Sequence, residues 1–154
     1  MVSDIEANKA TIRRLVDAHN RQDASGAAAC FDASGTNHGR TAGPSGMERI
    51  YRSLYSTFPD YHWEIQLLIA EGDSLALHVI QTGTHRGKPE LPVLGGLIQK
   101  VAPTGKAVSV PNIHLYQMKD GLILKHQAVR DDLGMMQQLG LLPEATRDVS
   151  RPAR

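Results

Sequence analysis

Residues Ile113–Gly140 read I-H-L-Y-Q-M-K-D-G-L-I-L-K-H-Q-A-V-R-D-D-L-G-M-M-Q-Q-L-G. Two apolar runs flank Lys119-Asp120-Gly121, and Asp-Gly between such runs predicts a tight hairpin because glycine tolerates positive φ. From Asp131 the period changes, and Leu133, Met136 and Leu139 fall on one helical face. The two carboxylates ahead of them suit a helix start, where free N–H groups and the dipole favour negative charge. A strand therefore hands over to a helix at Asp131.

Outward from this stretch, Val108–Met118 and Leu122–Arg130 are the strands of the hairpin. Tyr61–Ala70 alternates Trp63, Ile65, Leu67 and Ile69 against His62, Glu64 and Gln66, which predicts a half-buried strand. Glu71-Gly72-Asp73 turns it into a further strand, Ser74–His85, and a long excursion, Arg86–Lys106, follows. Nearer the start, Ser3-Asp4 caps a helix to Asn20 with Ile5, Ile12, Leu15, Val16 and His19 as its apolar stripe. Ala24–Phe31 is a short second helix, and Ser34–Gly46, rich in glycine, is a loop. Pro44 or Ser45 opens a third helix that presents Met47, Ile50, Tyr51, Leu54 and Tyr55 on one face and ends at Phe58-Pro59-Asp60. Helices first and antiparallel strands after predict an α+β fold.

At 154 residues, 41% hydrophobic and 21% charged, the chain fits one domain over 1–146 with a frayed polar tail over 147–154. A net charge of +1 gives no case for nucleic acid or an anionic membrane as partner. The single cysteine, Cys30, rules out an internal disulfide and reads as a small buried residue. No secretory signal and no apolar run near the ~20 residues of a membrane span is present, so a cytoplasmic protein is expected.

Three helices held by a curved sheet leave a cavity, with Tyr51, Leu54, Tyr55, Trp63 and Leu67 as apolar candidates for its wall. The polar candidates are His38, His85, Asn112, His114, His126, Gln127 and Asp131; His19, His62 and His78 are assigned to structure or solvent. Metal-ligand spacing, a nucleophile elbow and a phosphate-binding glycine loop are all missing from the sequence. Acid–base chemistry by a carboxylate beside imidazoles remains, since an apolar pocket raises a carboxyl pKa towards a useful range. The apolar excursion, with Leu91, Val93, Leu94, Leu97 and Ile98, is either a lid over the cavity or a packed insertion.

The ordered set N-H-G (Asn37–Gly39), A-E-G-D (Ala70–Asp73), G-T-H-x-G (Gly83–Gly87), P-T-G-K (Pro103–Lys106), I-H (Ile113-His114) and D-x-L-G-x-x-Q-Q-L-G (Asp131–Gly140) resembles the SnoaL-like polyketide cyclases. These are α+β cones of the nuclear-transport-factor-2-like superfamily. The resemblance implies a cofactor-independent enzyme that closes a ring by an intramolecular aldol step on a polyketide or similar polycyclic carbonyl compound. It places the acid–base aspartate at Asp131, with His114 and His38 binding or polarising carbonyl oxygens and His126 as the histidine of the last strand. Tyr51, Tyr55, Trp63, His85, Asn112 and Gln127 would line the substrate. Two departures stand out: Gln127 replaces the family's tryptophan, and Lys125 its glutamate. Gln127 shares strand parity with Asp131, and His126 takes the opposite face. Alternatives are an isomerase, hydratase or epoxide hydrolase using the same aspartate, or a non-catalytic binding or dimerisation module. Apolar residues on both faces of Ser74–Gln81 predict a homodimer through the outer face of the sheet.

Overall fold

A computed structural model describes residues 4–143; Ser3 and the predicted tail over 147–154 lie outside the described residues. The Asp4 carboxylate accepts a hydrogen bond from the Ala7 N–H and starts α1 (Ile5–Asn20), which buries Ile12, Leu15, Val16 and His19. Asp23 caps α2 (Ala24–Ala28) in the same way, through the Gly26 N–H. This helix of small residues packs against α1 and against α3 (Gly43–Thr57). Proline in the first turn of α3 supplies a preset φ where no N–H is needed. The buried face of α3 carries Met47, Tyr51, Leu54 and Tyr55, as its period predicts.

Six strands form one curved sheet: β1 (Phe31–Asn37), β2 (Arg40–Thr41), β3 (His62–Glu71), β4 (Ser74–Thr84), β5 (Ala107–Lys119) and β6 (Leu122–Arg130). Their order is β2-β1-β6-β5-β4-β3, antiparallel except where β1 runs parallel to β6. A short helix, α4 (Asp132–Gln138), follows β6. Asp120 and Gly121 both take positive φ, 51° and 77°, which is the geometry the tight β5–β6 hairpin demands. The helices fill the concave face and give the α+β cone expected from the sequence.

Three expectations are corrected. Ser34–Gly46 is not simply loop, because β1 continues to Asn37, turns at His38-Gly39 and returns as β2 before α3 begins. D-A-S-G-T-N has no apolar alternation; its pairing comes from β6, as in the His38 N–H to His126 carbonyl bond of 2.9 Å. The second helix likewise stops at Ala28, since the Cys30 carbonyl is already taken by the Ile123 N–H. The third correction concerns β3. A bulge between Ile65 and Leu67 shifts its register, so Trp63 is buried while Leu67 and Ile69 face solvent and Leu68 and Ala70 turn inward.

The excursion folds as a strap across the open end of the cone. Ser53 holds it at Leu91 by two hydrogen bonds, and Val93 and Ile98 are buried. Lifting it would expose both side chains at a cost of about 1.5–3 kcal/mol each, so it is a packed wall at rest. Where the strap leaves β4, a Cβ on Gly87 would stand 1.9 Å from the Ser56 carbonyl oxygen, and only glycine fits.

Candidate active site

A cavity of about 980 Å³ opens between α3, the concave face of β3–β6 and the strap. Its floor is aromatic. Trp63 lies between two histidine rings, with its centroid 4.4 Å from His19 and 4.3 Å from His114. The indole N–H donates to the Tyr61 hydroxyl (2.7 Å), which donates to Gln81 Oε1 (3.0 Å). Asn112 donates to the same oxygen at 2.6 Å. This buried chain fixes the indole plane.

Beside it runs a chain of imidazoles. Asn37 Oδ1 lies 2.8 Å from His126 Nδ1, and His126 Nε2 lies 3.0 Å from His114 Nδ1. The Asn37 carbonyl oxygen only accepts, so His126 Nδ1 carries a proton and its Nε2 is a lone pair. His114 Nδ1 must then donate, which leaves His114 Nε2 unprotonated. That nitrogen is buried and has no partner among the described residues, and the His114 side chain is part of the cavity lining. Burial, reinforced by His19, Arg130 and His38, lowers the His114 pKa to about 3. Burial first and the neighbouring His114 second push that of His126 well down too. Both rings are neutral at pH 7. The site thus presents a desolvated basic nitrogen backed by a proton relay.

His19 supplies the complementary group. Its Nδ1 meets the Tyr55 hydroxyl, its Nε2 is buried with no partner among the described residues, and the residue is part of the cavity lining. Burial raises the Tyr55 pKa, so the phenol keeps its proton and can donate it to Nδ1. With the phenol as donor, the one proton of the neutral His19 ring sits on Nε2, available to a ligand oxygen. Burial also lowers the His19 pKa to about 3.

Of the residues expected at the site, His38, His114, His126, Tyr51, Leu54 and Trp63 line the cavity. The others stand elsewhere. Asp131 is exposed and accepts the Gly134 N–H at 2.9 Å as the cap of α4, outside the cavity. Gln127 is exposed on the outer face opposite Leu115. The parity premise holds and reverses the assignment: Gln127 and Asp131 share the outward face, while His126, Ala128 and Arg130 point in. His85 is fully buried and accepts the Thr104 N–H, tying the P-T-G-K turn to the end of β4. Asn112 stands one layer behind Gln81, and Tyr55 reaches the site only through His19. Leu67, outward after the bulge, is no wall residue.

His19, Gln81 and Arg130 belong to the wall and were not expected there. Each had a signal in the sequence: a polar side chain on a stripe or strand parity that is otherwise buried. Among the described residues, no three His, Cys, Asp or Glu side chains converge as a metal site. No helix there is long and apolar enough to cross a membrane.

The family model of the SnoaL-like polyketide cyclases matches residues 9–139, and the chain belongs to that family. No curated protein matches it. Among solved structures it is similar to TsrD of Streptomyces laurentii, with 26% identity, TM-score 0.76, and 90% of this chain and 98% of that one covered. AclR of Streptomyces galilaeus, a candidate hydroxylase, is similar at 26% identity and TM-score 0.76, over 94% of this chain and 87% of that one. IdmH of Streptomyces antibioticus, a candidate polyketide cyclase, shares the fold at 23% identity and TM-score 0.68, over 86% and 98%.

Proposed function

We propose that this chain is a cofactor-independent acid–base enzyme of the cyclase type, acting in the cytoplasm on a carbonyl compound with an acidified carbon. The observation that carries the reading is the buried, unpartnered Nε2 of His114 at the end of the directed chain from Asn37. His114 Nε2 takes a proton from a carbon between two carbonyls, and the electron pair moves onto a carbonyl oxygen held by the His19 Nε2–H. The enolate carbon then attacks a second carbonyl, forming the C–C bond and opening that C=O to an alkoxide. His114 returns its proton to the alkoxide, so the enzyme ends as it began. The surface position of Asp131 favours the imidazoles for the acid–base role, and an isomerase would use the same base.

Deuterium exchange into cyclic 1,3-diketones in D₂O, followed by NMR, tests the base without knowledge of the natural substrate. Exchange accelerated by the wild type and lost in His114→Asn is expected. Equal rates with and without protein would favour the remaining reading, a binding module that uses the cavity without chemistry.

We also propose a two-fold homodimer through the outer face of the sheet. There Leu67, His78, Ile113 and Val129 form one cross-strand row, and Ile69, Ala76 and Leu115 the next. Leu67, Ile69, Ile113, Leu115 and Val129 are between 47 and 71% exposed, a contiguous apolar patch of the kind that marks an interface. Val129→Asp together with Leu115→Asp is expected to convert a dimer mass at micromolar concentration to that of a monomer. A monomeric wild type would remove the assignment.

A further inference from the structure

We infer that the rim of the cavity is an anion subsite and that the ligand is a carboxylic acid, its carboxylate on Arg40 and Arg49 and its carbonyl-bearing end at His114. The inference rests on the acid–base reading for the inner end and adds the chemistry of the outer one. Arg40, Arg49 and Arg130 all line the cavity, and among the described residues no aspartate or glutamate does. The whole chain carries 17 basic and 16 acidic side chains, so an even distribution would have placed carboxylates here as well. Arg130 is held by Asp132 through Nε at 3.0 Å and Nη2 at 3.3 Å. Arg40 and Arg49 have no ion pair or hydrogen bond among the described residues.

The fold explains how they meet. The His38-Gly39 turn delivers Arg40 on β2, and Arg49 projects from α3, whose opening residues Ala42, Ser45 and Gly46 border the same rim. That helix end has no side-chain cap, and its dipole adds positive potential. The inner end is different: the imidazoles are neutral, and their unpartnered nitrogens exchange single hydrogen bonds with a ligand. One end thus recognises charge and the other a carbonyl. Two guanidinium groups with free donors fit a carboxylate in fork geometry, whereas an ester offers them only weak acceptors.

Calorimetric titration with anthraquinone-2-carboxylate and with its methyl ester tests this, because the pair shares rings and carbonyls and differs in charge. The acid is expected to bind about tenfold tighter than the ester to the wild type, the worth of one charge-assisted contact. In Arg40→Gln/Arg49→Gln the preference should fall to about twofold with ester affinity unchanged, since both side chains are exposed and the core is untouched. An ester that binds the wild type as tightly as the acid, or a preference that survives in the double variant, overturns the anion subsite and leaves the His114 chemistry standing. Binding of neither compound overturns both.

Discussion

His114→Asn is expected to lower turnover by about 10²–10⁴-fold, the usual worth of a positioned proton-transfer group, while ligand affinity changes little. Asparagine is the informative replacement because its amide nitrogen occupies the place of Nδ1. It can still donate to His126 Nε2, while the Nε2 lone pair and part of the ring's packing against Trp63 are lost. The fold should survive at some cost in stability, since the hydrogen-bonded chain from Asn37 is kept. Asn37→Asp probes the direction of the chain. A carboxylate can only accept, so it keeps the proton order His126 Nδ1–H, His114 Nδ1–H and holds both rings more basic. The acidic limb of the rate profile should then move to higher pH with turnover retained. Asp131→Asn should leave turnover within about twofold, since asparagine caps a helix as well as aspartate, and Asp131→Ala should cost about 1 kcal/mol of stability. Unchanged turnover in a folded His114→Asn protein, with a large loss in Asp131→Asn, would return the acid–base role to the aspartate.

The difference between these two assignments shows what the sequence could carry. The β5–β6 hairpin, the helix at Asp132 and the stripes of α1 and α3 were legible because each has a strong period and its own turn or cap chemistry. Strand parity around His126 was legible as well, but not which parity faces in. That depends on the helices covering one side of the sheet, and no residue of β6 announces it. The β3 bulge was hidden for a related reason. Ile65, Leu67, Leu68 and Ile69 are all apolar, so either register satisfies an alternation rule. β1 and β2 were missed because their residues are small and polar, and their strand conformation is imposed by hydrogen bonds to β6. At the site the motif histidines of N-H-G and I-H came through. His19, Gln81 and Arg130 did not, because only the assembled cone brings a last-turn histidine of α1 beside the indole of β3.

The buried imidazoles also set how the protein responds to acid, and the expected effect is large. His19 and His114 stay neutral down to about pH 3 in the folded state because burial disfavours their charged forms. His126, bordering the cavity, is depressed in the same direction by burial and by its neighbours His114, His38 and Arg130. In the unfolded chain each takes up a proton near pH 6.5. Between those limits the unfolded state binds more protons, so stability is fully present above about pH 6.5 and is lost as pH falls. Each such histidine removes about 1.4 kcal/mol per pH unit. His19 and His114 alone therefore remove about 3 kcal/mol per unit, against a total stability of about 5–15 kcal/mol for an ordinary domain. On that slope, acid unfolding should set in from about two units below pH 6.5 for a domain at the lower end of that range. Asp60, where burial raises the pKa but is outweighed by bonds to Thr84 and by Arg86, is lowered on balance and adds its loss only at lower pH still. Urea melts between pH 7.5 and 5 measure the slope directly, and a ligand that accepts the His19 proton and feeds the His114 lone pair should hold the midpoint up. Stability that stays flat over that range would mean that the imidazoles reach solvent, and the desolvated base at His114 would go with it.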